Sequence, residues 1–244
     1  MAIATQNWDG VTAPAQPSGW NYSSASLITT SSLSAGISPT SNPNVLELAA
    51  TATNASSFAT YATADGNGGN VAAQANFAVT SFGHTCSGGL IVRASTAAIV
   101  QNSSTFYWAI LDLFNAQVTL CAVVAGSLTT LATVGTSSLA AGMWYGMALA
   151  CSGTAISVTV QRLSDSTWMN QSGTFQPSVA NAITVTDSSI TGSGYSGLSL
   201  AAKIDTAYTD EWALSGAVCL TPVTAILRPL HRPLSQAIVS GMYD

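Results

Sequence analysis

Alternation along residues 143–162 constrains this chain more than any other stretch. In MWYGMALACSGTAISVTVQR, Tyr145, Met147, Leu149 and Cys151 alternate with Trp144, Gly146, Ala148 and Ala150. After Ser152-Gly153-Thr154, Ile156, Val158 and Val160 alternate with Ser157, Thr159 and Gln161. A period of two on both sides of a short Gly-containing connection is an antiparallel hairpin with one buried face.

The same pattern recurs along the chain. Val71, Ala73, Ala75, Phe77 and Val79 alternate without fault after the turn cluster Asp65-Gly66-Asn67-Gly68-Gly69. Residues 117–124 and 128–134 form another hairpin about Ala125-Gly126-Ser127. Further strands are expected at 27–30, from 45, and at 58–63, 88–94, 105–114, 167–173, 183–187, 194–201 and 209–215. The bulky run TFYWAILDLF at 105–114 is long enough for a helix, but its β-propensity favours a strand. No useful window carries helical periodicity. The expectation is an all-β fold with two sheets face to face, each keeping one wet face. Residues 1–44 read as an extended N-terminal arm with a first strand, 45–216 as the β-sandwich, and 217–244 as a Pro-rich tail ending in a short helical turn near 235–242. Pro222, Pro229 and Pro233 keep that tail out of a central strand.

Composition narrows the function. Of the 244 residues 48% are hydrophobic, yet no apolar run is long enough to span a bilayer, so no membrane partner is expected. The opening MAIATQNWDG has neither a basic n-region nor an apolar h-region, and reads as lacking a secretory signal. Only 6% of residues are charged, against about 25% in an average domain. Solubility therefore rests on hydroxyls and amides. Five Lys and Arg that form no stripe, with a net charge of -5, argue against nucleic acid. Cys86, Cys121, Cys151 and Cys219 lack zinc-like spacing and read as buried free thiols, with a disulfide left open. Asn21, Asn54, Asn102 and Asn170 open N-x-Ser sequons, as a Ser-rich chain does by chance.

The block GMWYGMALACSGTAISVTVQ, followed by TDSSITGSGYSGLSLAA and TDEWALSG, resembles the C-terminal half of a concanavalin A-like, laminin-G-like jelly roll. The likeness rests on Gly142, Trp144 and Tyr145; on Gly153, Ile156 and Val158; and on Thr186, Asp187, Ile190, Gly194, Gly197, Leu198 and Asp210. It spans roughly 88–216 and implies a jelly-roll β-sandwich with extended N- and C-terminal arms. Read physically, Gly194 and Gly197 mark a tight backbone approach or a positive φ, and Asp187 bonds its own turn. The resemblance implies calcium or sugar on a loop rim in some members. Asp187, Asp205 and Asp210 form no Asp-x-Asp-x-Asp run, so no metal and no cofactor is expected.

Catalysis finds little footing. Glycosidases of this fold use an E-x-D-x-x-E run, and this chain has two glutamates, Glu47 and Glu211. Adjacent Asp210 and Glu211 point to opposite faces of a strand and make no acid/base pair alone. His84 and His231 lie in a Gly-containing loop and in the Pro-rich tail. The chain reads as no enzyme, with no catalytic residue assigned. The favoured expectation is a phage virion protein, a capsid decoration or cement protein assembled in the host cytoplasm. It would bind the major capsid protein or another virion protein, as a homo-oligomer with a trimer favoured. Trp8, Trp20, Arg228, His231, Arg232 and Tyr243 are the expected partner contacts, with Tyr22 beside them in the arm. The alternative is a carbohydrate-binding adhesin or tail-fibre module contacting glycan through Trp168 or the Asp187 region. A glycoside hydrolase ranks third.

Overall fold

The computed structural model describes residues 18–23, 58–61, 64, 69–78, 87–100 and 102–201 with their side chains, and the backbone of 2–6, 28–32, 44–48, 55–57, 79, 86, 202 and 207–215. Seventeen strands and no helix occur among them. The first nine are β1 (Ala2–Gln6), β2 (Trp20–Tyr22), β3 (Ile28–Ser32), β4 (Asn44–Leu48), β5 (Ala55–Tyr61), β6 (Val71–Val79), β7 (Cys86–Ala94), β8 (Phe106–Asp112) and β9 (Gln117–Val124). Then come β10 (Ser127–Gly135), β11 (Tyr145–Ser152), β12 (Ala155–Arg162), β13 (Thr167–Met169), β14 (Phe175–Gln176), β15 (Ile183–Thr186), β16 (Tyr195–Ala202) and β17 (Ala207–Ser215).

All pairings are antiparallel, and the strands form two sheets. The ten-stranded sheet runs β14-β13-β12-β11-β6-β17-β4-β3, with β1 also on β17 and β15 also on β12. The seven-stranded sheet runs β10-β9-β8-β7-β16-β5-β2. The organising hairpin has the register its alternation implies: Met147 faces Val160, Leu149 faces Val158 and Cys151 faces Ile156. Ser152 pairs with Ala155, so the turn is the two residues Gly153 and Thr154, with Gly153 at φ +56°. Those side chains pack with Val71, Ala73, Ala75 and Phe77 of β6 against Leu90 and Val92 of β7, Tyr107 and Leu111 of β8, and Leu198 and Leu200 of β16. Cys121 and Cys151 are buried thiols outside any disulfide, in line with the expectation.

Two expectations change. The alternation predicts one wet face for β11, but Gly146, Ala148 and Ala150 are buried as well, beside Gln74, Asn76, Ser157 and Thr159. Alternation records side-chain polarity, and Ala and Gly are compatible with either environment. The 1–44 segment is also more than an arm. Ala2–Gln6 pairs with β17 and Trp20–Tyr22 with β5, so that segment contributes a strand to each sheet. The short turn expected near 235–242 lies outside the described residues.

Candidate functional site

The loops at the end of the sandwich where β11 turns into β12 are tied together by one side chain. Arg93, at the end of β7, has φ 55° and is only 3% exposed. That left-handed backbone sends its guanidinium across to carbonyls from three different loops. Nε donates to the Gly69 oxygen at 2.8 Å, Nη1 to Ile190 at 2.7 Å and Nη2 to Gly153 at 2.7 Å. The guanidinium also stands 5.8 Å from the centre of the Tyr107 ring. Five fixed donors make Arg the side chain able to satisfy several carbonyls at once.

Tyr107 carries the network to Asp187. Its hydroxyl donates to Asp187 Oδ1 at 2.6 Å and accepts from the Ile190 N–H at 3.2 Å. Asp187 Oδ1 also accepts the Ser189 N–H at 2.9 Å and the Ser189 hydroxyl. This is the Asx turn expected from the sequence. Desolvation pushes the Asp187 carboxyl up, but the Ser189 and Tyr107 hydrogen bonds outweigh it and hold the group below its ordinary range. Burial, and then the bond to Asp187, pushes the Tyr107 hydroxyl up. The loops also interlock through backbone. A Cβ on Gly69 (φ +85°) would stand 2.7 Å from the Gly192 oxygen, and one on Gly194 would stand 2.5 Å from the Ala94 oxygen. Asn70 Oδ1 accepts from the Gly153 N–H at 3.0 Å.

This rim presents an ionised, half-buried carboxylate, with exposed hydroxyls at Thr154, Thr186, Ser188, Ser189 and Ser193 and the exposed amide of Asn70. It has hydrogen-bond acceptors and donors in a fixed arrangement. Among the described residues no group of three His, Cys, Asp or Glu is placed to hold a metal ion.

A second surface lies on the outer side of the seven-stranded sheet. Phe58, Ile91, Phe106 and Val123 form a separate apolar cluster there with Ala94 and Ile99, and Trp108 and Tyr195 pack half-buried against it. Sequence reasoning passed over Trp108 because it sits in a bulky run that reads as core throughout. The signal available was its alternation partners, Tyr107 and Ala109, which take the inner positions.

The residues singled out from sequence fare differently. Trp168 is only 5% exposed, so its ring has no open face for a sugar. Its strand, short and polar in sequence, lies inside the sheet, paired with β12 on one side and β14 on the other. Trp20 is 8% exposed and meets Tyr61 edge-on, with ring centres 5.8 Å apart; it is packed into this domain rather than held out toward a partner. Tyr22 is half-buried on the same strand, and burial raises its pKa. Trp8, Arg228, His231, Arg232 and Tyr243 lie outside the described residues, as do the side chains of His84, Asp205, Asp210 and Glu211. Of the predicted residues, Trp20 and Tyr22 are described on β2, Trp168 on β13 and Asp187 just after β15. The structure brings together Asp187 and three residues that were not predicted: Arg93, Tyr107 and Asn70.

No protein-family profile matches the chain, and no curated protein matches it. Solved structures do. The carbohydrate-binding module CBM66 from Bacillus subtilis superposes with a TM-score of 0.53 at 14% identity, over 83% of this chain and 97% of that one. Lectin II from Ulex europaeus gives 0.55 at 14% identity, over 88% and 99%. The exoplasmic/lumenal domain of VIP36, in a Ca2+- and mannose-bound form, gives 0.57 at 14% identity, over 88% and 89%. The fold is the concanavalin A-like jelly roll. At these identities the likeness establishes the architecture, and the jelly-roll expectation holds.

Proposed function

We propose that this chain is a non-catalytic carbohydrate-binding module whose glycan site is the loop rim around Asp187. The observation that carries the reading is the fixed carboxylate: Tyr107 and Ser189 hold Asp187 ionised, and Arg93 fastens the loops that carry it. An ionised carboxylate accepts hydrogen bonds from vicinal sugar hydroxyls, and Asn70 and the Ser/Thr hydroxyls around it supply further polar contacts. Preorganisation lowers the ordering cost that weakens binding through mobile loops. The structures named above are a carbohydrate-binding module, a lectin and a mannose-bound domain, which supports the glycan alternative over the capsid-decoration reading. A non-enzymatic role belongs to the same proposal, since the described residues of the rim hold one carboxylate and no nucleophile–base pair.

The test is a glycan array followed by titration calorimetry on the best ligand. Saturable binding is expected, weakened about tenfold or more by Asp187→Ala, equivalent to about 1.4 kcal/mol. Binding that is unchanged in a folded Asp187→Ala variant overturns the rim as the site. No saturable ligand on the array overturns the function.

A further inference from the structure

We propose that Trp108 forms a second glycan contact, a stacking platform for an uncharged polysaccharide on the outer face of the seven-stranded sheet. It rests on the reading that the chain binds glycans, but it uses a different surface from the rim. The indole is locked in place. Its Nε1–H donates to Ser199 Oγ at 2.8 Å. Phe58 packs against it edge-on at 5.4 Å, and Phe106 lies tilted at 6.4 Å. The ring nitrogen lies over Gly89, where a Cβ would stand 2.6 Å from Nε1, so the absence of a side chain on β7 is what lets the ring settle there.

The indole is held on its nitrogen side by Ser199 and on its flanks by Phe58 and Phe106, and it remains half-buried rather than enclosed. In register it stands between Ile91 on β7 and Cys121 on β9, and Cys121 in turn faces the exposed Thr130 of β10. One row further along, the half-buried Ile110 stands beside Thr119. The Thr119 hydroxyl lies 3.2 Å from that of Thr133. The neighbourhood is thus a fixed aromatic ring bordered by hydroxyls. None of these register positions carries a charge. A flat, partly apolar, hydroxyl-bearing and uncharged ligand fits this arrangement: an aromatic face stacks on the C–H face of a pyranose while neighbouring hydroxyls bond its rim. Among the described residues no Lys or Arg stands at these positions, so an anionic polymer finds no counter-ion there.

The experiment is affinity electrophoresis of the full chain through gels containing neutral polysaccharides (mixed-linkage β-glucan, xylan, galactomannan), with alginate as the charged control. Wild-type protein is expected to be retarded by at least one neutral polymer and not by alginate. Trp108→Ala should weaken that affinity about tenfold. Trp108→Phe, which keeps an aromatic ring against Phe58 and Phe106, should retain part of it, and Ser199→Ala, which frees the indole nitrogen, should fall between wild type and Trp108→Ala. Should Trp108→Ala fail to fold, the Phe and Ser199→Ala variants decide, and both retaining full wild-type affinity overturns the platform. Retardation lost in Asp187→Ala but intact in folded Trp108 variants overturns the platform and leaves the rim standing. A wild type that no neutral polymer retards also overturns the platform, while the rim reading is judged separately on the array.

Discussion

Arg93 concentrates more of the loop architecture than any other described side chain. Its carbonyl partners, Gly69, Gly153 and Ile190, are spread over more than a hundred residues of sequence and meet around one guanidinium. Replacing it by Met leaves three carbonyls facing a side chain that cannot donate. Charge-assisted bonds of this kind contribute about 1.5–3 kcal/mol each at most, and losses within one network do not add, so Arg93→Met is expected to cost about 3 kcal/mol. The reading is a lower denaturant midpoint with an unchanged slope. A shift below about 0.5 kcal/mol would show that the loops hold one another without the cation. None of this is legible from sequence, where Arg93 closes the run GGLIVRA as an ordinary polar strand end. Local pattern reports period and polarity, whereas this network depends on contacts 24 to 97 residues apart. The Asp187 turn was legible because its partner, Ser189, is two residues away.

Single elements were easier to read than the packing between them. The hairpin of β11 and β12 follows its alternation residue for residue, since a slip of one position would turn Ile156, Val158 and Val160 out of the core. The sequence could not show that Trp168 is buried, because the polar residues around it give no apolar period, and the loop reading about Pro177 concealed β14 beside its strand. The hairpin of β9 and β10 holds a usable defect. Val124 pairs with Ser127, leaving a two-residue turn in which Ala125 has φ 48° and Gly126 φ 83°. That is the geometry favouring Asn-Gly, and Ala at the first position carries a left-handed penalty of about 1 kcal/mol that Asn largely avoids. Ala125→Asn is therefore expected to raise stability by about 0.5–1 kcal/mol, seen as a higher melting temperature. A lower one would mean that the Thr105 hydroxyl, which accepts the Ala125 N–H at 2.9 Å, is displaced by the new side chain.

At the level of the whole molecule, the loop end of the sandwich is fastened by a guanidinium. Excess chelator is accordingly expected to leave the melting temperature unshifted, because the cation that gathers the carbonyls is covalently part of the chain. A fall on adding EDTA, restored by calcium, would place a metal in the fold. The two outermost described strands lie side by side, with Ala2 registered opposite Ser215 and Gln6 opposite Trp212. The sequence suggested an extended arm entering a first strand near 27–30, because the sparse aromatics among Ser, Thr and Pro before it give no periodicity by which β1 could announce itself. The start of β1 thus meets the close of β17, which makes the span between them portable. A short peptide could bridge them and the ring be reopened at a hairpin elsewhere, and a host protein could carry the entire sandwich within one surface loop without its own ends being pulled apart.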